Sequence, residues 1–191
     1  MPETPAIELI RLTKCFDKVT ACDCIDMDVR RGEVLALLGE NGSGKTTLTN
    51  MLSGIYQPDA GQIILDGKPV TIRSPRDAIR LGIGMIHQHF KLVEVLTARE
   101  NILLGQAGLI KTSPEEAVST FGFQVDLDKK IYDMSVSEKQ AVEILKVLCR
   151  GADKLILDEP TAVLTPQEIR ALFDALDRMR AAVDRQRAAV E

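Results

Sequence analysis

Ile25, Met27 and Val29 alternate with Asp26 and Asp28, the period of two expected of a strand with one buried face. That alternation predicts an extended segment over roughly 19–29, preceded by another over 6–12. After Arg31 and Gly32 the pattern changes to an unbroken apolar run, VLALL at 34–38, bounded by glycines. A run that is apolar at every position predicts a strand covered on both faces, as in a parallel sheet. A glycine-rich loop and a helix near 45–52 follow. The segment QIILDGKPVTI at 62–72 predicts a hairpin, with Asp66 and Gly67 forming a type I′ turn.

Farther along, the pattern shifts to helical spacing. Ser74 and Pro75 open one helix, Asp77 sits in its first turn and Gly82 closes it. Thr97 with Glu100, Ser113 with Glu116, and Thr165 with Glu168 each have the form of a capping box. After Ser137, the residues Ala141, Ile144, Leu145 and Leu148 form a core-facing stripe that Gly151 ends. Residues 154–157 are a short apolar strand running into Asp158 and Glu159, and Ile169, Leu172, Phe173 and Leu176 continue as a helical stripe. The pattern predicts an α/β nucleotide-binding core over 1–88 and 152–191, with a helical insert over 89–151.

Composition narrows the class. The chain has 191 residues, 45% of them apolar and 27% charged, which fits one soluble domain with room for a small inserted subdomain. A net charge of −4 without a basic stripe argues against nucleic acid as a partner. The longest apolar runs are about five residues, against roughly 20 needed to span a bilayer, so direct membrane insertion is not expected. The first residues lack the long apolar stretch of a secretory signal. Cys15, Cys22, Cys24 and Cys149 lack metal-site spacing and read as small strand and helix residues in a reducing cytoplasm.

Two segments carry chemistry. GENGSGKTT at 39–47 fits G-x-x-x-x-G-K-[ST] between an apolar run and a helix, the context of a phosphate-binding loop. Gly39, Gly42 and Gly44 let the backbone curl, with Asn41 and Ser43 between them, so that successive N–H groups converge on phosphates. Lys45 is placed to reach the β- and γ-phosphates of ATP, the Thr46 hydroxyl to take a Mg²⁺ position, and Thr47 follows in the same turn. In LILDEP, at 155–160, Asp158 suits a Mg²⁺ contact through water, and Glu159 suits the orientation or deprotonation of an attacking water. A flexible surface loop and a pair of solvated strand-end acids are the plainer readings, and the two segments together disfavour both.

These segments, with Gln88, MSVSEKQ at 134–140 and the continuation into TAVLTPQE, occur in the order and approximate spacing of ABC transporter ATPases, which the chain resembles over nearly its whole length. The resemblance implies a P-loop NTPase fold with a RecA-like core. It implies that Gln88 is a Mg²⁺ ligand that senses a membrane partner, and that Phe16 stacks on adenine. Taken alone, Phe16 would read as a core residue. It also implies that Ser135 caps the γ-phosphate of ATP held by a second ATPase domain, in a head-to-tail dimer or as the other half of a tandem chain. The implied partners are transmembrane permease subunits at the cytoplasmic face of the cell membrane.

Several positions depart from the family pattern. Val136 and Ser137 stand where its signature has two glycines, and AVLT at 162–165 replaces a serine-alanine-leucine-aspartate tetrad. With IHQHFKLVEVLTARENILLG, these variants look most like the N-terminal half of the tandem ATPases that import simple sugars and nucleosides. His87 and His89, the only histidines, flank Gln88 and fit polar loop residues better than a metal site. The family's switch histidine, on a strand beyond the paired acids, has no counterpart after Glu159. RAAV at 180–183 recurs at 187–190, so the chain is expected to be a truncated domain. A nucleotide-binding remnant with little hydrolysis is the competing reading. A soluble relative serving repair or translation would be expected to show a coiled-coil insertion or a basic surface, neither of which this sequence has, and a GTPase would need an N-K-x-D motif, which none of Asn41, Asn50 or Asn101 begins.

Overall fold

A computed structural model describes residues 4–86, 90–105 and 108–158, together with Pro166, Ile169, Arg170, Phe173, Asp174, Leu176, Asp177 and Ala181. Contacts group the chain into two compact units, 1–83 and 84–191.

In the first unit, β1 (Ile7–Phe16) and β2 (Val19–Val29) form an antiparallel hairpin in which Ile7 faces Val29. Met27 and Val29 are half-buried and Asp26 and Asp28 exposed, so the alternation marks the covered face as expected. β1 also pairs with β3 (Ala60–Leu65), which turns into β4 (Lys68–Val70), giving the order β2-β1-β3-β4. The turn between β3 and β4 places Asp66 at φ 50° and Gly67 at φ 76°, the two positive values that a type I′ turn requires. Helix α1 (Lys45–Leu52) buries Leu48, Thr49, Met51 and Leu52. Helix α2 (Pro75–Arg80) starts as expected at Ser74, whose hydroxyl accepts from the Asp77 N–H.

The run at 34–38 corrects an expectation. It is irregular and exposed, with Leu38 at 92% and Val34 at 62% relative exposure, and no described strand pairs with it. Apolar character makes a segment suitable for a buried strand but supplies no hydrogen-bonding neighbour. A doubly covered strand needs neighbours along both edges as well as covered faces.

The second unit opens within β5 (Ile83–Ile86), which is hydrogen-bonded to β6 (Lys154–Leu157). Four residues, IGMI, are too few for periodicity to reveal β5 in the sequence. Between β5 and β6 lie α3 (Ala98–Leu103), α4 (Pro114–Phe121), a 3-10 turn (Ile131–Asp133) and α5 (Val136–Leu148). The stripe on α5 behaves as expected: Ile144, Leu145 and Leu148 are buried, alongside Ile102, Ala117 and Ile131. A Cβ on Gly84 would run into the Val147 side chain, so the absence of a side chain there lets α5 lie close on β5. Thr97 and Glu100 form the complete capping box, while Ser113 shows one half of it, accepting from the Glu116 N–H. The expected box at Thr165 and Glu168 lies outside the described residues, as do Leu172 and the repeat at 187–190. Ile169, Phe173 and Leu176 are helical, and Leu176 packs partly buried on this unit's core.

Candidate functional site: a phosphate loop and an acid-tipped strand

The residues before α1 form a loop shaped by glycine. Gly42 and Gly44 adopt φ 85° and 91°, values that side chains rarely tolerate. A Cβ on Gly44 would collide with the carbonyl oxygen of Ala21, and the Cys22 Sγ lies 3.7 Å from the Gly44 carbonyl oxygen. The loop therefore rests directly on β2. Gly44 is also the N-cap of α1, with no side-chain cap and no acid in the first turn. The first N–H groups of the helix are thus left for an anion, and the helix dipole favours one.

Lys45 folds back across this loop. Its ammonium donates to the carbonyl oxygens of Gly39 and Glu40 at 2.6 and 2.8 Å, and lies 3.4 Å from the Ser43 Oγ. Asn41 is exposed on the turn, Thr46 is exposed at the start of α1, and Thr47 is half-buried behind it. The sequence-derived phosphate-site residues from Gly39 to Thr47 thus fall in one loop and one helical turn. Phe16, at the end of β1, keeps 39% exposure and meets the Tyr56 ring.

The remaining candidates lie in the second unit. Asp158 follows β6, is half-buried, and donates its backbone N–H to Ile86 at 3.1 Å. Glu159, Gln88, His87 and His89 lie outside the described residues. Ser135 is the N-cap of α5. It accepts from the Glu138 N–H, its own N–H donates to Glu138 Oε2 at 2.8 Å, and its Oγ lies 3.1 Å from that of Ser137. The Lys129 ammonium donates to both oxygens of Glu138 at 2.8 and 3.1 Å. Those bonds, followed by the bond from Ser135, hold the Glu138 carboxyl below the usual glutamate range.

The structure adds residues the sequence reading missed. Buried Glu143 accepts from the Lys91 N–H at 2.6 Å, and Lys146 donates to the Lys91 carbonyl at 3.0 Å. Fully buried Asn101 bridges the Val93 peptide in both directions, at 2.7 and 3.0 Å. Together they pin the segment that follows Gln88 to α5 and α3. Glu143 stands next to Ile144 and Leu145 in the sequence, and only this buried carboxylate's hydrogen bond reveals its purpose.

All four cysteines are free. Burial raises the Cys22 thiol and pushes Cys149 up to about 11, so both stay protonated at neutral pH. Among the described residues, no three His, Cys, Asp or Glu side chains cluster as a metal site, and no helix is long and apolar enough to cross a membrane.

Comparison with known proteins identifies the family and the fold. The ABC transporter family matches residues 22–162. The guanosine import ATP-binding protein NupO of Bacillus subtilis is 47% identical over 91% of this chain and 36% of its own length. The nucleoside import ATP-binding protein NupA of Lactococcus lactis is 46% identical over 94% of this chain and 37% of its own. The ribose import ATP-binding protein RbsA of Corynebacterium glutamicum is 43% identical over 92% of this chain and 35% of its own. The chain thus spans little more than a third of these relatives' length. Among solved structures, cbiO1 of Clostridium perfringens, part of the ABC transporter complex cbiONQ, superposes with a TM-score of 0.81 at 30% identity, covering 94% of this chain and 75% of that one. An ATP-binding cassette in its ADP conformation gives 0.82 at 24% identity, covering 93% and 77%, and supports the fold alone. With a matching family model across its phosphate loop and acid-tipped strand, the chain belongs to the ABC transporter family.

Proposed function

We propose that this chain binds ATP and, within the full-length protein, contributes to ATP hydrolysis that powers import of a solute, a simple sugar or a nucleoside. The observation that carries the reading is the uncapped glycine-shaped start of α1, with Lys45 held across it. The naming of relatives as guanosine, nucleoside and ribose import proteins supports the solute class.

In this reading Lys45 and the loop N–H groups hold the β- and γ-phosphates, and Phe16 stacks on the base. Glu159 orients and deprotonates the attacking water, and Gln88 is the second catalytic residue. A magnesium–phosphate ligand is supported by the uncapped start of α1, which has no acid in its first turn, and by Thr46, exposed beside it. Thr46, Gln88 and Asp158 would hold Mg²⁺, which when bound neutralises phosphate charge. Ser135 would donate its hydroxyl to a γ-phosphate held by a second ATPase domain, supplied by a dimer partner or a tandem half. The remaining partners are permease subunits, with the protein at the cytoplasmic face of the membrane and no segment of its own inserted. The division into a nucleotide-binding core over 1–88 and 152–191, and a helical subdomain over 89–151, belongs to the same proposal.

A second reading, a nucleotide-binding remnant with little turnover, is favoured by one observation. The Ser137 hydroxyl stands 3.1 Å from that of Ser135, where the family signature has a glycine. The test is ATP titration beside phosphate release on the full-length protein. Binding with solute-stimulated turnover supports the first reading; binding without turnover leaves the second.

A further inference from the structure

Phe16 is held by two neighbouring side chains. Its ring centroid lies 5.1 Å from that of Tyr56 with an interplanar angle of 73°, an edge-to-face pair, and the Lys14 ammonium stands 5.4 Å from the Phe16 centroid. Lys14 is paired with Asp59 at 2.9 Å, and the other oxygen of Asp59 accepts from the Cys15 N–H at 2.7 Å. These bonds hold the Asp59 carboxyl below the usual aspartate range, with the Cys15 contact the larger cause. The Asp59 N–H in turn donates to the Thr13 carbonyl at 2.9 Å. Four consecutive residues at the end of β1, 13–16, are therefore held by one short loop.

That loop is the continuation of α1. The N–H groups of Ile55 and Tyr56 both donate to the Asn50 carbonyl, at 2.9 and 3.1 Å. Gln57 donates to the Ile72 carbonyl at 2.6 Å, and a Cβ on Gly54 would meet the Ser74 carbonyl, so the loop is tied down on its other side as well. One rigid element thus presents the phosphate-binding residues at its start and the support of an aromatic ring at its end. Phe16 nevertheless keeps 39% exposure. An aromatic ring held by an edge-on neighbour and a cation, yet left open to solvent, has the form of a stacking platform more than of a core side chain.

We infer that Tyr56 and Asp59 are positioning residues that hold the Phe16 ring as a platform for a purine base, so that the loop after α1 sets the base contribution to nucleoside triphosphate affinity. The inference rests on the proposed stacking role of Phe16. Stacking uses the π face that every purine has, so the platform favours adenine and guanine nucleotides alike over a ligand with no base.

The test compares ATP with inorganic tripolyphosphate, which has the phosphates and no base, by calorimetric titration of the full-length protein with Mg²⁺. Phe16→Ala should weaken ATP about tenfold and leave tripolyphosphate unchanged. Tyr56→Ala and Tyr56→Leu should each weaken ATP about threefold, again sparing tripolyphosphate, while Tyr56→Phe keeps the parent affinity. Tyr56→Leu preserves apolar bulk if the alanine variant fails to fold. Equal losses for both ligands in Tyr56→Leu, or no loss for either, overturn the positioning role while the stacking reading stands on Phe16→Ala. Parent-like ATP affinity in a folded Phe16→Ala overturns the stacking reading and this inference together.

Discussion

Helices α1 and α5 both begin at residues proposed to meet phosphate, yet the two beginnings are built in opposite ways. At α1 the N-cap is a left-handed glycine, without side-chain cap or first-turn acid. At α5 the N-cap is Ser135 in a complete capping box with Glu138, closed further by Lys129. The first end has no side-chain cap to take up its first N–H groups, which suits it to the anion proposed for it. The second end satisfies the N–H groups of Ser135 and Glu138 within its own box, so it has fewer backbone donors to offer and adds the Ser135 hydroxyl to them. A site that must grasp several phosphate oxygens needs the first design, whereas one that adds a single hydrogen bond from a fixed position is served by the second.

The largest expected effect leaves both helix ends intact and removes the chemistry alone. Glu159→Gln in the full-length protein should bind ATP as the parent does while phosphate release falls by about a hundredfold or more. Turnover above a tenth of the parent's would remove Glu159 as the principal base. Next in size is the test of the open end. Lys45→Ala should weaken ATP binding roughly tenfold or more, as the loss of about 1.5–3 kcal/mol of charge-assisted contact implies. Unchanged affinity in a folded variant would take Lys45 out of the phosphate site.

The closed end should respond in stability. Ser135→Ala should cost about 1 kcal/mol in a denaturant melt, the usual worth of an N-cap, and leave binding of ATP to the chain's own loop unaltered. Acid should loosen the same end. The Glu138 carboxyl has a lowered folded value, so its contribution is complete above the unfolded glutamate range near pH 4.3 and is lost as pH falls through the folded value. Glu138→Gln should flatten that acid limb of a stability–pH curve, and an unaltered limb would show that the Lys129 pair contributes nothing. The smallest effect is expected at Leu38, 92% exposed: Leu38→Ser should change the stability of this chain by less than about 0.5 kcal/mol. A loss of about 2 kcal/mol or more in the melt would mean the side chain is covered after all.

Legibility followed the range of the interactions involved. The β3–β4 turn was readable because Asp66 and Gly67 need positive φ whatever surrounds them. The helix starts at Ser74 and Thr97 were readable because the accepting cap hydroxyl and the backbone N–H that donates to it lie three residues apart. The glycine-shaped turn before α1 was readable because its glycines and Lys45 are neighbours along the chain. Glu143 and Asn101 were not, since their partners at Lys91 and Val93 are chosen by packing. Nor was the grip of Asp59 on Cys15, which closes over 44 positions of sequence separation.

By itself, the sequence determined the local geometry: the turn, the caps, the alternating face of β2, the stripe on α5 and the residue types of the phosphate loop. Each depends on backbone preference or on contacts within about one helical turn, which survive any tertiary arrangement. The tertiary structure alone decided which apolar segments found partners. IGMI, four residues long, became β5 because β6 lies beside it, whereas VLALL, longer and more apolar, stays irregular and exposed with no described strand alongside. A strand is completed only by hydrogen bonds to another segment, and its own sequence does not carry that neighbour.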